Sequence, residues 1–331
     1  MNRTDTLREL LLLLQGVLLG FAAYSYVKYS ERNRQVFFRT WLTIGLLSAL
    51  ASLALFYLAD PTVSWNLQPP TNAANLLAEQ LRLGSPFWGP SNYYASILLL
   101  FVPMAGAAFI LGYNRAFAAI TGTVMAVTLF LTTSRGAVLA MIVAGLYLGG
   151  VFLKQAMRRQ RQLVFGLALV GLVLLAIAGP SLVNYFFLSR DASIGSLNGG
   201  TRGALLRTAF RFVPAHLLVG AGFGASPALA PSLMQGTHVY ALTLLLELGL
   251  PGLLLGIVVA VRVLRILGQA ARTHRGKVDA AVVIVWASFA SLALTLVNIQ
   301  VEASLEGVVF FWVFGALMGA AYGGLATRAA H

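Results

Sequence analysis

Between long apolar runs, the stretch Arg190 to His238 gathers Arg190, Asp191, Arg202, Arg207, Arg211, His216 and His238. Arginine presents a rigid fork of N–H donors that suits paired anionic oxygens. Histidine titrates near neutral pH and can take a proton from a hydroxyl. Such a set could hold a phosphate-type group and activate an alcohol. The stretch opens irregularly, with Ser193, Gly195, Ser196, Asn198, Gly199 and Gly200. Ala204 to Val213 then reads as a short helix that Pro214 interrupts. Helical spacing puts Arg207 and Arg211 on one face and leaves Arg202 pointing elsewhere or ahead of the helix. Lipid headgroup contact is the competing reading for Arg207 and Arg211. Arg202 reads as functional.

His238 opens the apolar run Val239 to Leu246, so its imidazole is expected at the mouth of a helix rather than free in water. An inert cap is the alternative there, and for His216, between Ala215 and Leu217, a surface role is the expectation. Ser134, Arg135 and Gly136 fall in a very short turn between two apolar runs, where an arginine is costly unless it meets water or an anion. The competing reading has Arg135 reaching lipid phosphate while Ser134 caps the next helix. Glu247 lies inside an apolar run and is followed by Leu248, Gly249, Leu250, Pro251 and Gly252, a series that should break or bend a helix. A structural pair and a proton relay are equally compatible with it. Glu302 and Glu306 read as solvated turn residues.

The elements that must position these groups are set by composition. Of 331 residues, 59% are hydrophobic and 10% charged, against about 25% charged in ordinary soluble domains. Lipid is therefore the expected solvent. A helix needs about 20 apolar residues to cross a bilayer core. Nine runs approach that length: 9–27, 40–59, 92–111, 116–133, 137–153, 163–180, 238–261, 279–297 and 307–325. The net charge of +13 is spread in clusters between these runs, which argues against a nucleic-acid stripe. There is no cysteine, so disulfides, thiolate nucleophiles and cysteine metal sites are excluded. No P-loop, HExxH or paired-histidine metal motif occurs.

Alternation of the loops puts 15 of the 23 Lys and Arg on one side, among them Lys28, Arg32, Arg34, Arg39, Arg115, Arg158, Arg159, Arg262 and Arg265. The positive-inside rule makes that side cytoplasmic. Arg3, Arg8, Arg82, Arg135, Arg190, Arg202, Arg207 and Arg211 fall on the other side, together with two long polar loops, 60–91 and 181–237. The expected architecture is a single all-α integral membrane domain over 1–331, a bundle of about nine transmembrane helices. Its N-terminus is outside and its C-terminus inside, with the large outer loop between spans six and seven.

At four patches, in order, the sequence resembles the O-antigen ligase and polymerase superfamily, membrane enzymes that move glycans from undecaprenyl diphosphate in the periplasm. Arg82 to Ala95 is similar to the family's R-x-x-G-x-F-x-x-P-N segment, with Ser91 inserted between Pro90 and Asn92. Leu131 to Ala137 is similar to its T-x-S-R-G turn. Asn198 to Gly224 matches a loop with an early arginine, a short helix and a G-x-G-x-G end, here Gly220, Gly222 and Gly224. Leu206 stands where tryptophan is common, and the usual His-Pro reads Ala215 and His216 with Pro214 displaced. Thr237 to Gly252 resembles H-N-x-x-L through E-x-G-x-x-G, with Val239 in place of the asparagine.

The resemblance implies a glycosyltransferase of the bacterial inner membrane whose active face is periplasmic; with arginines to carry the leaving diphosphate's charge, the expected reaction is a metal-independent, inverting single displacement without cofactors. His238 would be the catalytic base, with Arg202 and Arg135 on the donor diphosphate and Arg82, Arg207 and Arg211 as further substrate contacts. The implied partners are an undecaprenyl-diphosphate-linked glycan, a lipid or glycan acceptor and membrane lipids, with no nucleic acid. Family ligases usually have twelve spans with an inside N-terminus, so a form shortened by three leading helices, or a start assigned too far along the chain, is expected. A transporter or flippase of an anionic lipid or small anion, and an inactive shortened homologue, are the competing expectations.

Overall fold

The computed structural model describes residues 3–58, 91–132, 134, 136–141, 201–222, 229, 240–273, 278–298 and 308–329. All regular structure among the described residues is helical. The helices are α1 (Arg3–Tyr29), α2 (Glu31–Leu58), α3 (Ser91–Leu111), α4 (Arg115–Leu131), α5 (Thr201–His216), α6 (Tyr240–Thr273), α7 (Ala280–Asn298) and α8 (Val308–Ala329). Three stretches among the described residues are long and apolar enough to cross a membrane, Glu31–Ala54, Asn92–Leu111 and Ala241–Ala271. Shorter apolar helices are Arg115–Leu131, Ala280–Leu296 and Trp312–Ala326. A helix also begins at 136–141, where the fifth expected span starts. The sixth expected span, 163–180, lies outside the described residues, as do residues 60–90 and, in loop 181–237, residues 181–200, 223–228 and 230–237.

Local chemistry sets the helix ends. The Ser30 hydroxyl accepts from the Asn33 amide at 3.0 Å to start α2, and Arg34 pairs with Glu31 at 2.9 Å one turn in. Asp279 starts α7, its carboxylate accepting from the Val282 amide at 2.9 Å. Between α3 and α4 the chain turns in three residues. The amides of Tyr113 and Gly112 donate to the carbonyls of Ala108 and Phe109, a Schellman closure that needs the positive φ of Gly112, 81°.

Side-chain bonds fix the helix directions. Trp41 and Ser291 both donate to the carbonyl of Leu100, so α2, α3 and α7 meet at one level. Ser48 donates to Tyr94 at 3.2 Å and Asn298 to Ser96 at 2.8 Å, so α2 and α7 both run antiparallel to α3. Consequently the C-terminal ends of α2, α4 and α7 lie at the same end of the bundle as the start of α3. At the opposite end lie the turns at Ser30 and Gly112–Asn114 and the start of α7, with Arg39 and Asp279 near Tyr113. The centre is made by α3 and α7, buried almost all round from Tyr94 to Phe101 and from Ala280 to Thr295. That is the pattern of a helix with no polar face to turn outward.

The first and last helices pack side by side and parallel, along glycine. A Cβ built on Gly315 would meet the Gly16 carbonyl, one on Gly319 the Gly20 carbonyl, and one on Gly323 the Tyr24 carbonyl. Lipid tails are as apolar as leucine, so close backbone approach rather than the hydrophobic effect holds such a seam together.

Candidate functional site

The expected short helix is longer than the sequence suggests. It runs from Thr201 to His216 as α5, so Arg202 is its second residue rather than a residue ahead of it, and Pro214 does not end it. The proline sits in the last turn, where only its own missing N–H and the Phe210 carbonyl are affected, and the turn closes beyond it. Arg207 and Arg211 are four residues apart and share a stripe, as expected, and the Arg211 side chain is exposed. The opposite stripe carries Ala209, fully buried against Leu242 and Leu246 of α6, with Phe212, Val213 and Leu229 around them. Ala209 lets the two backbones come close. Arg202 stands two turns before Ala209 along α5.

Helix α6 is broken at Gly249, whose φ of 69° and ψ of −169° lie in a region open essentially to glycine alone. The break frees backbone groups that an apolar environment cannot satisfy, at several kcal/mol for each group left unpaired. Residues from the end of α5 satisfy them. The amide of Ala221 donates to the Leu246 carbonyl at 2.8 Å and that of Gly222 to the Glu247 carbonyl at 2.9 Å. In return, the amide of Leu250 donates to the Leu217 carbonyl at 2.7 Å. Pro251, lacking an N–H, then starts the second half of α6 where no donor is required.

Two of the patches that carried the resemblance therefore form one structure. Gly220 and Gly222 adopt φ of 77° and 108°, and a Cβ on Gly220 would collide with the Glu247 carbonyl. A Cβ on Gly249 would lie 2.7 Å from the Leu218 carbonyl. Each glycine leaves the room the other's backbone occupies. Glu247 itself is half-buried beside this clasp.

The T-x-S-R-G turn follows α4. The Thr132 hydroxyl donates to the Leu129 carbonyl at 2.6 Å, and Ser134 acts as the cap of the helix beginning at 136, its carbonyl accepting from Val138 at 3.1 Å. Ser134 is buried, 1% exposed, at the same end of the bundle as Asn92 and Asn298. Arg135 and His238 lie outside the described residues, at one residue from Ser134 and two from Tyr240, and Arg82, Glu302 and Glu306 lie outside them too. The backbones of Arg202 and Arg207 are described and their side chains are not.

Residues 120–257 match the family model described as O-antigen ligase. The match starts within α4 and ends in α6 beyond the break, so it takes in the Ser134 turn, α5 and the whole clasp. It covers less than half of the chain and is consistent with the O-antigen ligase and polymerase superfamily. No curated protein matches the chain. With its apolar helices, the O-antigen ligase match makes this a bacterial membrane protein.

The clasp was not readable from the sequence, which signalled unusual backbone at Gly220, Gly222, Gly249 and Pro251 but not that these segments bond each other. Asn298 was also missed. It follows the apolar run 279–297 by one residue, and its polarity at the end of such a run was the available signal.

Proposed function

We propose that this protein is a membrane glycan-transfer enzyme, a ligase or polymerase, that moves a glycan from an undecaprenyl-diphosphate-linked donor to an acceptor hydroxyl. The clasp within the family-matched stretch is the observation that carries this reading. It ties the end of α5 to α6, and so holds an arginine-bearing helix in register with the segment two residues beyond His238. Transfer at an anomeric carbon needs that kind of register, because a positioned base and a positioned anion site must act on one substrate.

In this reading the acceptor oxygen attacks the anomeric carbon while His238 takes its proton. The bond from that carbon to the diphosphate oxygen breaks, and its electron pair leaves with the lipid diphosphate. Arg202 and Arg135 stabilise the charge growing on the leaving phosphates, with Arg207, Arg211 and Arg82 as outer contacts. Single displacement inverts the anomeric centre, and arginines alone neutralise the leaving group, so no metal is required.

The accompanying topology is a single domain over 1–331 with nine spans, N-terminus outside and C-terminus inside, in the bacterial inner membrane. Loops 60–91 and 181–237 face the periplasm. The end of the bundle carrying Lys28, Arg32, Arg39 and Arg115 supports assigning it to the cytoplasm. The alternative of an anionic-lipid transporter would use a broken helix to offer free amides at a half-helix N-terminus to the anion. Here the Leu250 amide at the break donates to the Leu217 carbonyl, and Pro251 after it has no N–H.

The purified protein in lipid vesicles, given a labelled lipid-diphosphate glycan and defined acceptor alcohols with a metal chelator present, should transfer the glycan and release lipid diphosphate. Movement of the intact donor across the bilayer with no glycan transfer would favour the transporter instead.

A further inference from the structure

We propose that Gly249 and Gly220 are positioning residues for the transfer step, setting the rate of chemistry by fixing how α5 sits on the broken α6; this rests on the transferase reading above. Neither residue has a side chain to offer a substrate. Their contribution is conformational. Gly249 holds φ 69° and ψ −169°, and Gly220 holds φ 77° with its Cα facing the Glu247 carbonyl. Between them pass the three hydrogen bonds of 2.7 to 2.9 Å that join 217–222 to 246–250.

The consequence for the reaction follows from leverage. Helix α5 is anchored at its C-terminal end by these bonds and along its middle by the small contact of Ala209 with Leu242 and Leu246. Arg202 lies fourteen residues before His216, about 21 Å along the helix. A shift of a few tenths of an ångström at the clasp is magnified at that distance. The first half of α6, which follows His238 in the chain, meets the clasp through the Leu246 and Glu247 carbonyls. Any Cβ at 249 or 220 must push the two segments apart, because the atoms it meets are backbone. Misplacement of about 1 Å at a reacting centre costs on the order of a hundredfold in rate, while donor affinity from contacts elsewhere is retained. The signature of a positioning role is thus a fall in kcat with KM little changed.

The chain has no cysteine, which allows a proximity test independent of activity. In the full-length protein, the pair Leu217→Cys and Leu250→Cys should crosslink on mild oxidation, since their backbones are hydrogen bonded. Adding Gly249→Ala, and separately Gly220→Ala, should lower the crosslinking yield. In the cysteine-free background each alanine variant should reduce kcat by at least about tenfold with donor KM within about twofold. Gly106→Ala, whose Cβ meets nothing within 4 Å, should change neither readout. Loss of crosslinking with kcat retained, or a rise in KM at unchanged kcat, overturns the positioning role. Failure of the parent pair to crosslink overturns the clasp itself. A parent pair that crosslinks in a protein that transfers nothing removes the transferase reading, and the positioning role with it, but leaves the clasp standing.

Discussion

The Gly222 amide donates to the Glu247 carbonyl at 2.9 Å, joining a loop after one helix to a break inside another. This bond brings together two glycine-bearing patches 25 residues apart, both within the family-matched stretch 120–257. Each patch alone reads as a generic turn or kink. Paired, they close a gap that neither could leave open in an apolar environment.

The glycine seam between α1 and α8 should be intolerant of bulk. Gly319→Leu places a side chain where the Gly20 carbonyl lies, so the helices must separate. Overpacking of this kind costs about 1–3 kcal/mol, read as a lower melting temperature of the detergent-solubilised protein. Gly106→Leu, facing open space, should leave it unchanged.

Most of the helical architecture was legible because bilayer length and apolar runs coincide. Seven of the nine expected runs fall on α1 to α4 and α6 to α8. The break at Gly249 was legible for a similar reason, since Gly-Leu-Pro-Gly cannot continue a helix. The extent of α5 was not. Pro214 reads as a stop, yet a proline in a final turn removes one bond and no more, and the closure of the Gly220 amide onto the His216 carbonyl at 2.8 Å completes the end. Pairings such as Ala221 with Leu246 are tertiary, and neither spacing nor propensity encodes them.

The buried pair of Ser96 and Asn298 links α3 to α7. The Asn298 amide donates to the Ser96 hydroxyl at 2.8 Å, and Ser96 donates in turn to the Asn92 carbonyl at 3.1 Å. Ser96→Ala should destabilise by about 0.6–1.7 kcal/mol in thermal or denaturant unfolding, the range for hydrogen bonds between membrane helices. Ser96→Ala combined with Asn298→Leu should cost less than the sum of the single changes, because no buried amide is then left without its acceptor.

Tyr113, in the turn between α3 and α4, has its phenol pKa raised, first by burial and then by the charge of Glu31. A raised pKa means that the folded state holds its proton more tightly than the unfolded state. The associated stability is complete below pH about 10 and is lost as pH rises through the folded value. Tyr113→Phe should therefore flatten the alkaline fall in melting temperature and leave stability at neutral pH largely unaltered.

The central claim is that His238 removes the acceptor proton in a transfer from a lipid diphosphate donor. Its most direct measurement is the transfer rate of His238→Ala beside the parent protein, in the same vesicles and at matched protein amounts. The account predicts a fall of about 10² to 10⁴-fold in kcat with donor binding retained. Transfer by His238→Ala at the parent rate would contradict it.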